Sequence, residues 1–432
     1  MNVVVFGLWH LGCVTAACLA AAGKRVVGLD SDVEVVSGLE RGRPPIDEPG
    51  LAELVAAGRT VGRLSFTTRV VEAFEGADVF WITFDTPVND RDEADVAFVR
   101  QRLEAIASFL KPGTLVMVSS QVPVGFTRAL ARDWAGRGLT FAYSPENLRL
   151  GKALAVFRAP ERVVVGLGDP RDRAKVEELF APYAQRYEWM SIESAEMTKH
   201  AINAFLATSV SFINELARLC EQIGADAREV ERGLKSESRI GPKAYLSPGP
   251  AFAGGTLARD LRFLSQFGRN LGVATPLFDG VLASNDEQKL WLHDKITQLL
   301  SGVPGPVVAV LGLTYKPGTD TLRRSASVEL CMWLRSRGIK VRAHDPAIRV
   351  LPEELRLFVD LCDTAEQAFA GADLVVVATE WPAFRNIQPS QLTSTMRLAR
   401  VVDQTWFLAQ QLGKVPGLRY FAPGRAEATS PP

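Results

Sequence analysis

A chain of 432 residues with 47% hydrophobic content is long enough for two or three domains, each with its own core. Its 49 basic and 49 acidic residues cancel, so bulk charge directs it to neither nucleic acid nor an anionic membrane surface. The five cysteines form no CxxC pair and the four histidines no HxxxH or HExxH pattern, so neither a disulfide framework nor a metal site is indicated; no leader pattern precedes Val3 and no apolar run reaches membrane-spanning length, so a cytoplasmic protein is expected.

The first predicted unit runs from Val3 to Asp30. Val3–Phe6 is the apolar run of a buried strand, Gly7–Gly12 a glycine turn, and the small and apolar residues up to Gly23 a helix. Arg25–Leu29 returns as a second strand closing on Asp30. Strand, glycine turn, helix, strand and acid in about 30 residues form the dinucleotide-binding βαβ pattern. Its pyrophosphate would rest on the N–H groups that open the helix, which places Gly7, Trp9, His10, Leu11 and Gly12 at the cofactor. Asp30 can accept hydrogen bonds from a ribose diol, which favours NAD over NADP. Trp9 stands where the fingerprint asks for a glycine that lets backbone approach phosphate, and it weighs against NAD. A Rossmann-like unit that binds no cofactor is the alternative.

Further on, Val33–Arg41 reads as a helix and is followed by a proline-rich loop. Val79–Thr83 is a buried strand ending at Asp85-Thr86-Pro87. Val96–Phe109 is helical, Thr114–Ser119 is a strand leading into Ser120-Gln121-Val122-Pro123, and a helix starts near Thr127. Thr140–Tyr143 and Arg162–Gly166 are short strands. This alternation predicts a parallel sheet covered on both faces. Ala195–Ile223 is one long helical pattern. Met197, Ala201, Ala204, Phe205, Val210, Phe212, Ile213, Leu216 and Leu219 form its apolar stripe, with Lys199, Asn203, Asn214 and Glu215 on the polar side. After a helix over Asp226–Leu234 comes a long glycine- and proline-rich loop, Ser238–Asp260, of the kind that usually carries function. Leu261–Leu271 and Leu277–Leu300 return to helix.

Beyond a linker at Ser301–Pro306 the chain repeats its beginning. VVAVLGL (Val307–Leu313) echoes VVVFGLW, GIKVRAHD (Gly338–Asp345) echoes GKRVVGLD, and GADLVVVAT (Gly371–Thr379) echoes GADVFWIT. Three matched strand signals in one order predict a second Rossmann-like domain. The expected fold is α/β, with two Rossmann-like parallel-sheet domains (1–194 and 301–425) joined by a central helical region (195–300) and followed by a disordered tail (426–432). Two nucleotide-type domains predict two nucleotide-like ligands, a cofactor and a substrate.

Nearly the whole chain resembles the UDP-glucose/GDP-mannose dehydrogenase family. The matching stretches include PIDEPGL (Pro45–Leu51), Thr86-Pro87, VPVG (Val122–Gly125), SPENL (Ser144–Leu148), EMTKHAINAFLATSVSFINEL (Glu196–Leu216), RIGP (Arg239–Pro242), AFAGGTLARDL (Ala251–Leu261) and YKPGTDTLRRS (Tyr315–Ser325). The resemblance implies oxidation of a sugar C6 alcohol to a carboxylate by two NAD in succession, through a cysteine thiohemiacetal and thioester. It also implies a homodimer built on the long helix. By resemblance Lys199 and Asn203, one helical turn apart, are the oxyanion-side pair. Asp260 activates water and Glu146 lies near the reacting carbon. Thr86, Ser120, Gln121 and Arg323 join the cofactor site. Arg239, Tyr245, Leu246, Phe252, Gly254, Tyr315 and Lys316 join the nucleotide-sugar site. A solvated helix face for Lys199, a helix N-terminal carboxylate for Asp260 and an ordinary surface arginine for Arg239 are the plainer alternatives.

The departures fall at the chemistry. Counting back from Asp260, the family's nucleophilic cysteine is Thr256; its threonine before VPVG is Gln121, a second glutamate is Leu150, and a cofactor-side arginine is Val35. Threonine is a poor substitute for a thiolate. The expected function is therefore a UDP-sugar or GDP-sugar 6-dehydrogenase with altered or incomplete chemistry. A non-redox nucleotide-sugar-binding or regulatory homologue, or an enzyme of another reaction on a nucleotide-linked substrate, is the alternative.

Overall fold

A computed structural model describes residues 1–87, 95–146, 148–322 and 325–425. The predicted tail and Arg323 lie outside them. The chain packs as two compact units. One is Met1–Ala204 with Gly254–Val273; the other is Phe205–Ala253 with the chain from Ala274 onward.

The first unit holds β1 (Asn2–Phe6), β2 (Arg25–Leu29), β3 (Leu64–Thr67), β4 (Val79–Ile82), β5 (Leu115–Val118), β6 (Thr140–Tyr143), β7 (Val163–Leu167) and β8 (Tyr187–Met190), in the order β3-β2-β1-β4-β5-β6-β7-β8. All neighbours are parallel except β6 and β7, where Ala142 pairs Leu167 and Tyr143 pairs Gly166 antiparallel. The Val/Ile runs of β1, β4 and β5 are buried on both faces, as a sheet covered by helices requires. The first helix, His10–Ala21, is buried from Leu11 to Ala20, which is why its residues are small and apolar all round. Phe6 pairs both Leu29 and Ile82. Gly7, Asp30 and Thr83 therefore leave the sheet together at its C-terminal edge, where open α/β sheets bind ligands.

The second unit holds β9 (Val307–Leu311), β10 (Lys340–His344), β11 (Asp360–Leu361), β12 (Leu374–Val377), β13 (Arg400–Asp403) and β14 (Arg419–Phe421), all parallel in the order β11-β10-β9-β12-β13-β14. That is the order of the first six strands of the first unit. The repeat extends to single hydrogen bonds. The Leu8 N–H donates to Asp30 Oδ2 at 2.7 Å and the Leu313 N–H to Asp345 Oδ2 at 2.7 Å. Gly7 and Gly312 turn at φ +100° and +95°.

The long helix spans Ile192–Ile223 and contributes to both units. Its faces differ from the expected pattern. Lys199, Asn203 and Asn214 are buried, whereas Phe205, Phe212 and Leu219 are 71%, 48% and 59% exposed. Ala204 and Ile213 of the expected stripe do face inward, joined there by Ala207, Ala217 and Cys220, whose small side chains let a helix pack close. The predicted helix over Val96–Phe109 is α-helical only to Glu104 and closes with a 3-10 turn at Ala107–Phe109. β3 and β8 were not marked by the sequence; β8 is only half-buried along its length, so it lacks the apolar run of a central strand. No helix of the described residues is long and apolar enough to cross a membrane.

Candidate active site

The glycine turn of the first unit is built by steric need at its two ends. A Cβ on Gly12 would lie 1.9 Å from the Gly7 carbonyl oxygen, and one on Gly7 2.7 Å from the Phe84 ring. Position 9 carries no such demand: Trp9 has φ −104° and ψ −149°, within reach of any residue, and its side chain is 47% exposed. The first intrahelical bond runs from the Cys13 N–H to the Trp9 carbonyl at 2.9 Å. The N–H groups of His10, Leu11 and Gly12 thus open the helix without intrahelical partners, as an anion site needs. Asp30 accepts from the N–H groups of Leu8 at 2.7 Å and Asp32 at 3.0 Å, one on each carboxylate oxygen, and keeps lone pairs for a ribose. The Thr86 hydroxyl donates to the Gln121 carbonyl at 2.7 Å. The buried Ser120 hydroxyl has no partner among the described residues. These residues fit a dinucleotide. The His10 side chain is taken by Glu48, at 3.1 Å. Glu48 also accepts from the N–H groups of Gly151 and Ala153, which pins the PIDEPGL loop beside the turn.

The remaining predicted residues of this unit converge. Lys199 donates from Nζ to the Glu146 carbonyl at 2.6 Å and lies 3.6 Å from its Oε1. Lys199 is 8% exposed and so is not on a solvated helix face. Asn203, one turn on, donates to Asp260 Oδ2. Asp260 sits in the first turn of the helix Arg259–Leu271, but its carboxylate does not cap that helix. It accepts from Asn203 and from Gln121 Nε2, and its Oδ1 shares a hydrogen bond with His200 Nδ1 at 3.0 Å. The Gln121 amide is oriented from the other side by Arg259, which donates to its Oε1. Just before this helix, Gly254–Ala258 forms a π-turn, a geometry frequent at functional sites, and it carries exposed Thr256.

Sequence reasoning passed over His200, Arg259 and Asp85. Asp85 is exposed, yet crowding by the surrounding protein and then the nearby Glu146 push its carboxyl up to about 6; His10 and Arg259 partly offset this. An acid raised in the folded state contributes stability below its unfolded value of 3.8 and loses it as pH rises through about 6. Asp85→Asn is therefore expected to melt higher than the parent at about pH 8, with the difference closing near pH 4; thermal melts across that range check this. None of the five cysteines has the setting of an activated nucleophile. Cys13, Cys18, Cys220 and Cys331 are buried, Cys362 is half-buried, and burial raises every one of these thiols. An activated nucleophile needs the opposite.

In the second unit the loop after Arg239 is held by buried amides. The Gly249 N–H donates to Asn214 Oδ1 at 2.9 Å, and Gln288 donates to the Gly249 carbonyl at 2.8 Å. Asn285 brackets Phe252, accepting from its N–H and donating to its carbonyl. The Ser247 hydroxyl donates to Glu231. Leu246 and Phe252 are buried under this lacing, while Tyr245 is 60% exposed. Arg239 is solvent-exposed and, among the described residues, pairs locally with Glu237 at 3.0 Å. Tyr315 is exposed and Lys316 half-buried on the turn after β9.

The chain matches the NAD binding domain of the UDP-glucose/GDP-mannose dehydrogenase family over residues 1–184, its central domain over 193–287 and its UDP binding domain over 309–410. A UDP-glucose 6-dehydrogenase of Pseudomonas aeruginosa is 34% identical over 93% of both chains. One from Bacillus subtilis is 31% identical over 98% of this chain and 93% of its own. Among solved structures, a UDP-glucose dehydrogenase from Pyrobaculum islandicum superposes with a TM-score of 0.84 at 31% identity, covering 98% of each chain.

Proposed function

Because the chain belongs to the UDP-glucose/GDP-mannose dehydrogenase family, we propose that it oxidises the C6 alcohol of UDP-glucose with NAD and releases the aldehyde rather than carrying it to the acid. One observation carries this reading. Lys199 is bonded to Glu146 and Asn203, one turn further along the same helix, to Asp260, while the position that resemblance assigns to the thiol is exposed Thr256.

NAD, when bound, supplies the hydride acceptor. The residues do the rest. Loss of the hydroxyl proton leaves an alkoxide, which the Lys199 ammonium and the Asn203 amide stabilise as hydride departs. Glu146, paired with Lys199, takes the proton. A threonine hydroxyl is not ionised at neutral pH, so no protein-bound hemiacetal forms to donate a second hydride. The full chain incubated with NAD and each of a panel of UDP- and GDP-sugars tests this. One NADH per sugar, with an aldehyde trapped by hydroxylamine, is expected. Two NADH and a carboxylate would overturn the aldehyde stop; no NADH with any donor would favour a binding or regulatory homologue.

Dimerisation is part of the same proposal. Phe205, Phe212 and Leu219 recur every seven residues along one exposed line of the long helix, the spacing of a helix–helix seam. Such an apolar line asks for a second copy. Sedimentation should give twice the 47.1 kDa chain mass for the parent and the single mass for Phe212→Asp.

A further inference from the structure

His200 is the one buried histidine whose two ring nitrogens both meet the proposed chemistry. It sits on the long helix between Lys199 and Asn203 and is 3% exposed. Its Nε2 lies 3.1 Å from the Val122 carbonyl and its Nδ1 3.0 Å from Asp260 Oδ1. The ring stacks on Phe263 with centroids 4.3 Å apart at 27°, which fixes its plane. A carbonyl oxygen has no proton to give, so Nε2 must be the donor there. Nδ1 then faces Asp260 either as N–H toward a carboxylate or as a lone pair toward a carboxylic acid. In both cases one proton is held between Nδ1 and Oδ1.

The rest of the network leaves Asp260 little freedom. Its Oδ1 also accepts from Gln121 Nε2, and Arg259 fixes that amide by donating to Oε1. Its Oδ2 accepts from Asn203. The charged groups facing this cluster are Arg259, Arg262 and Arg269 of the following helix, which line the adjoining cavity of about 380 Å³ with Asp260 and His200, and Lys199 and Glu196 of the histidine's own helix. Glu196 is occupied by the N–H groups of Gly125 and Thr127.

We propose that His200 is the positioning residue for Asp260: through a proton shared between Nδ1 and Oδ1 it holds the carboxylate in the orientation that aims the Asn203 amide at the alkoxide, and through Nε2 it ties that carboxylate to the Gln121–Pro123 loop. This deepens the dehydrogenase reading and rests on it. Loss of the ring leaves Asp260 with Gln121 and Asn203 but without its tie to the Val122 carbonyl, so the aim of the Asn203 amide and with it the chemical step suffers while substrate binding does not.

Three variants of the full chain separate orientation from packing. An asparagine amide can take the place of Nδ1–H, a glutamine amide that of Nε2–H, and phenylalanine keeps only the stacked ring. His200→Asn is expected to retain kcat within about threefold, whereas His200→Gln and His200→Phe fall by about tenfold or more with KM for the sugar unchanged, as misaiming one oxyanion donor would give. Equal loss in His200→Asn and His200→Phe, or a loss carried by KM, overturns the proposal. An independent readout is the ring ¹⁵N spectrum of histidine-labelled protein, in which His200 is one of only four signals sets to assign. Asp260→Asn is expected to move the His200 Nδ1 resonance, and an unmoved resonance overturns the pairing whether or not the chain turns over. Absence of NADH in the parent with every sugar instead overturns the dehydrogenase reading, and is seen before any variant is made.

Discussion

Lys199→Ala is expected to lower kcat by about 10²–10³-fold, the usual cost of removing one preorganised donor to a developing oxyanion. KM for the sugar and the affinity for NAD should change little, because the interaction lost is one that strengthens only as the alkoxide forms. Lys199 is built for that role. Its stem is buried, its Nζ is fixed by the Glu146 carbonyl at 2.6 Å, and the Glu146 carboxylate holds the second side of the ammonium at 3.6 Å. The loop survives the substitution, since Glu146 also accepts from the Leu148 N–H at 2.7 Å and keeps that anchor. Lys199→Arg should not restore the rate, because a planar guanidinium cannot occupy the volume of a compact ammonium at a site so enclosed. Steady-state kinetics on both variants, with tryptophan fluorescence to confirm the fold, measure this. A kcat within about threefold of the parent for Lys199→Ala would remove the lysine from the chemistry.

The two halves of the repeat show what local sequence conveys and what it does not. The echo of Gly23–Asp30 in Gly338–Asp345 correctly announces a second βαβ unit, with the same strand order and the same Leu N–H to Asp bond. It does not tell the two acids apart. Asp30 keeps spare lone pairs, whereas Asp345 Oδ2 is filled by the Leu313 and Thr314 N–H groups, the Thr314 hydroxyl and the Trp381 indole, and its Oδ1 takes the Ala347 N–H. The deciding group, Trp381, lies 36 residues from Asp345 and belongs to no motif. His200 is the same kind of case. Its neighbours Lys199 and Asn203 were legible at helical spacing, but its own partners are Val122 and Asp260, 78 and 60 residues away. Periodicity and motif spacing carry residues that share an element; they are silent on polar groups that meet only when the sheet edge and the helices are assembled.

Gly12→Ala and Trp9→Gly are expected to act in opposite directions on one turn. An added methyl at position 12 would stand 1.9 Å from the Gly7 carbonyl oxygen and 2.8 Å from Thr83 Oγ1. Neither neighbour can yield cheaply: Thr83 Oγ1 is bonded to the carbonyls of Phe6 and Gly7 at 3.0 and 2.9 Å, so moving it breaks the seam between β1 and β4. Overpacking against backbone of this kind costs about 3 kcal/mol, which for a unit of this size lowers Tm by about 6–12 °C. The displaced turn also loses its aim at the pyrophosphate, so NAD binding should fall below detection by calorimetry. Trp9→Gly touches nothing that holds the fold. The backbone there already has negative φ, the indole is half in solvent, and glycine is acceptable at a helix N-cap. Its Tm should stay near the parent's, while NAD is expected to bind several-fold more tightly once a glycine stands where the fingerprint asks for one. The middle glycine of the fingerprint is thus a requirement of the ligand and the outer two are requirements of the chain, which is why a tryptophan can occupy position 9 without costing the fold. A Gly12→Ala protein that bound NAD as the parent does would show that the phosphates are not held by this turn.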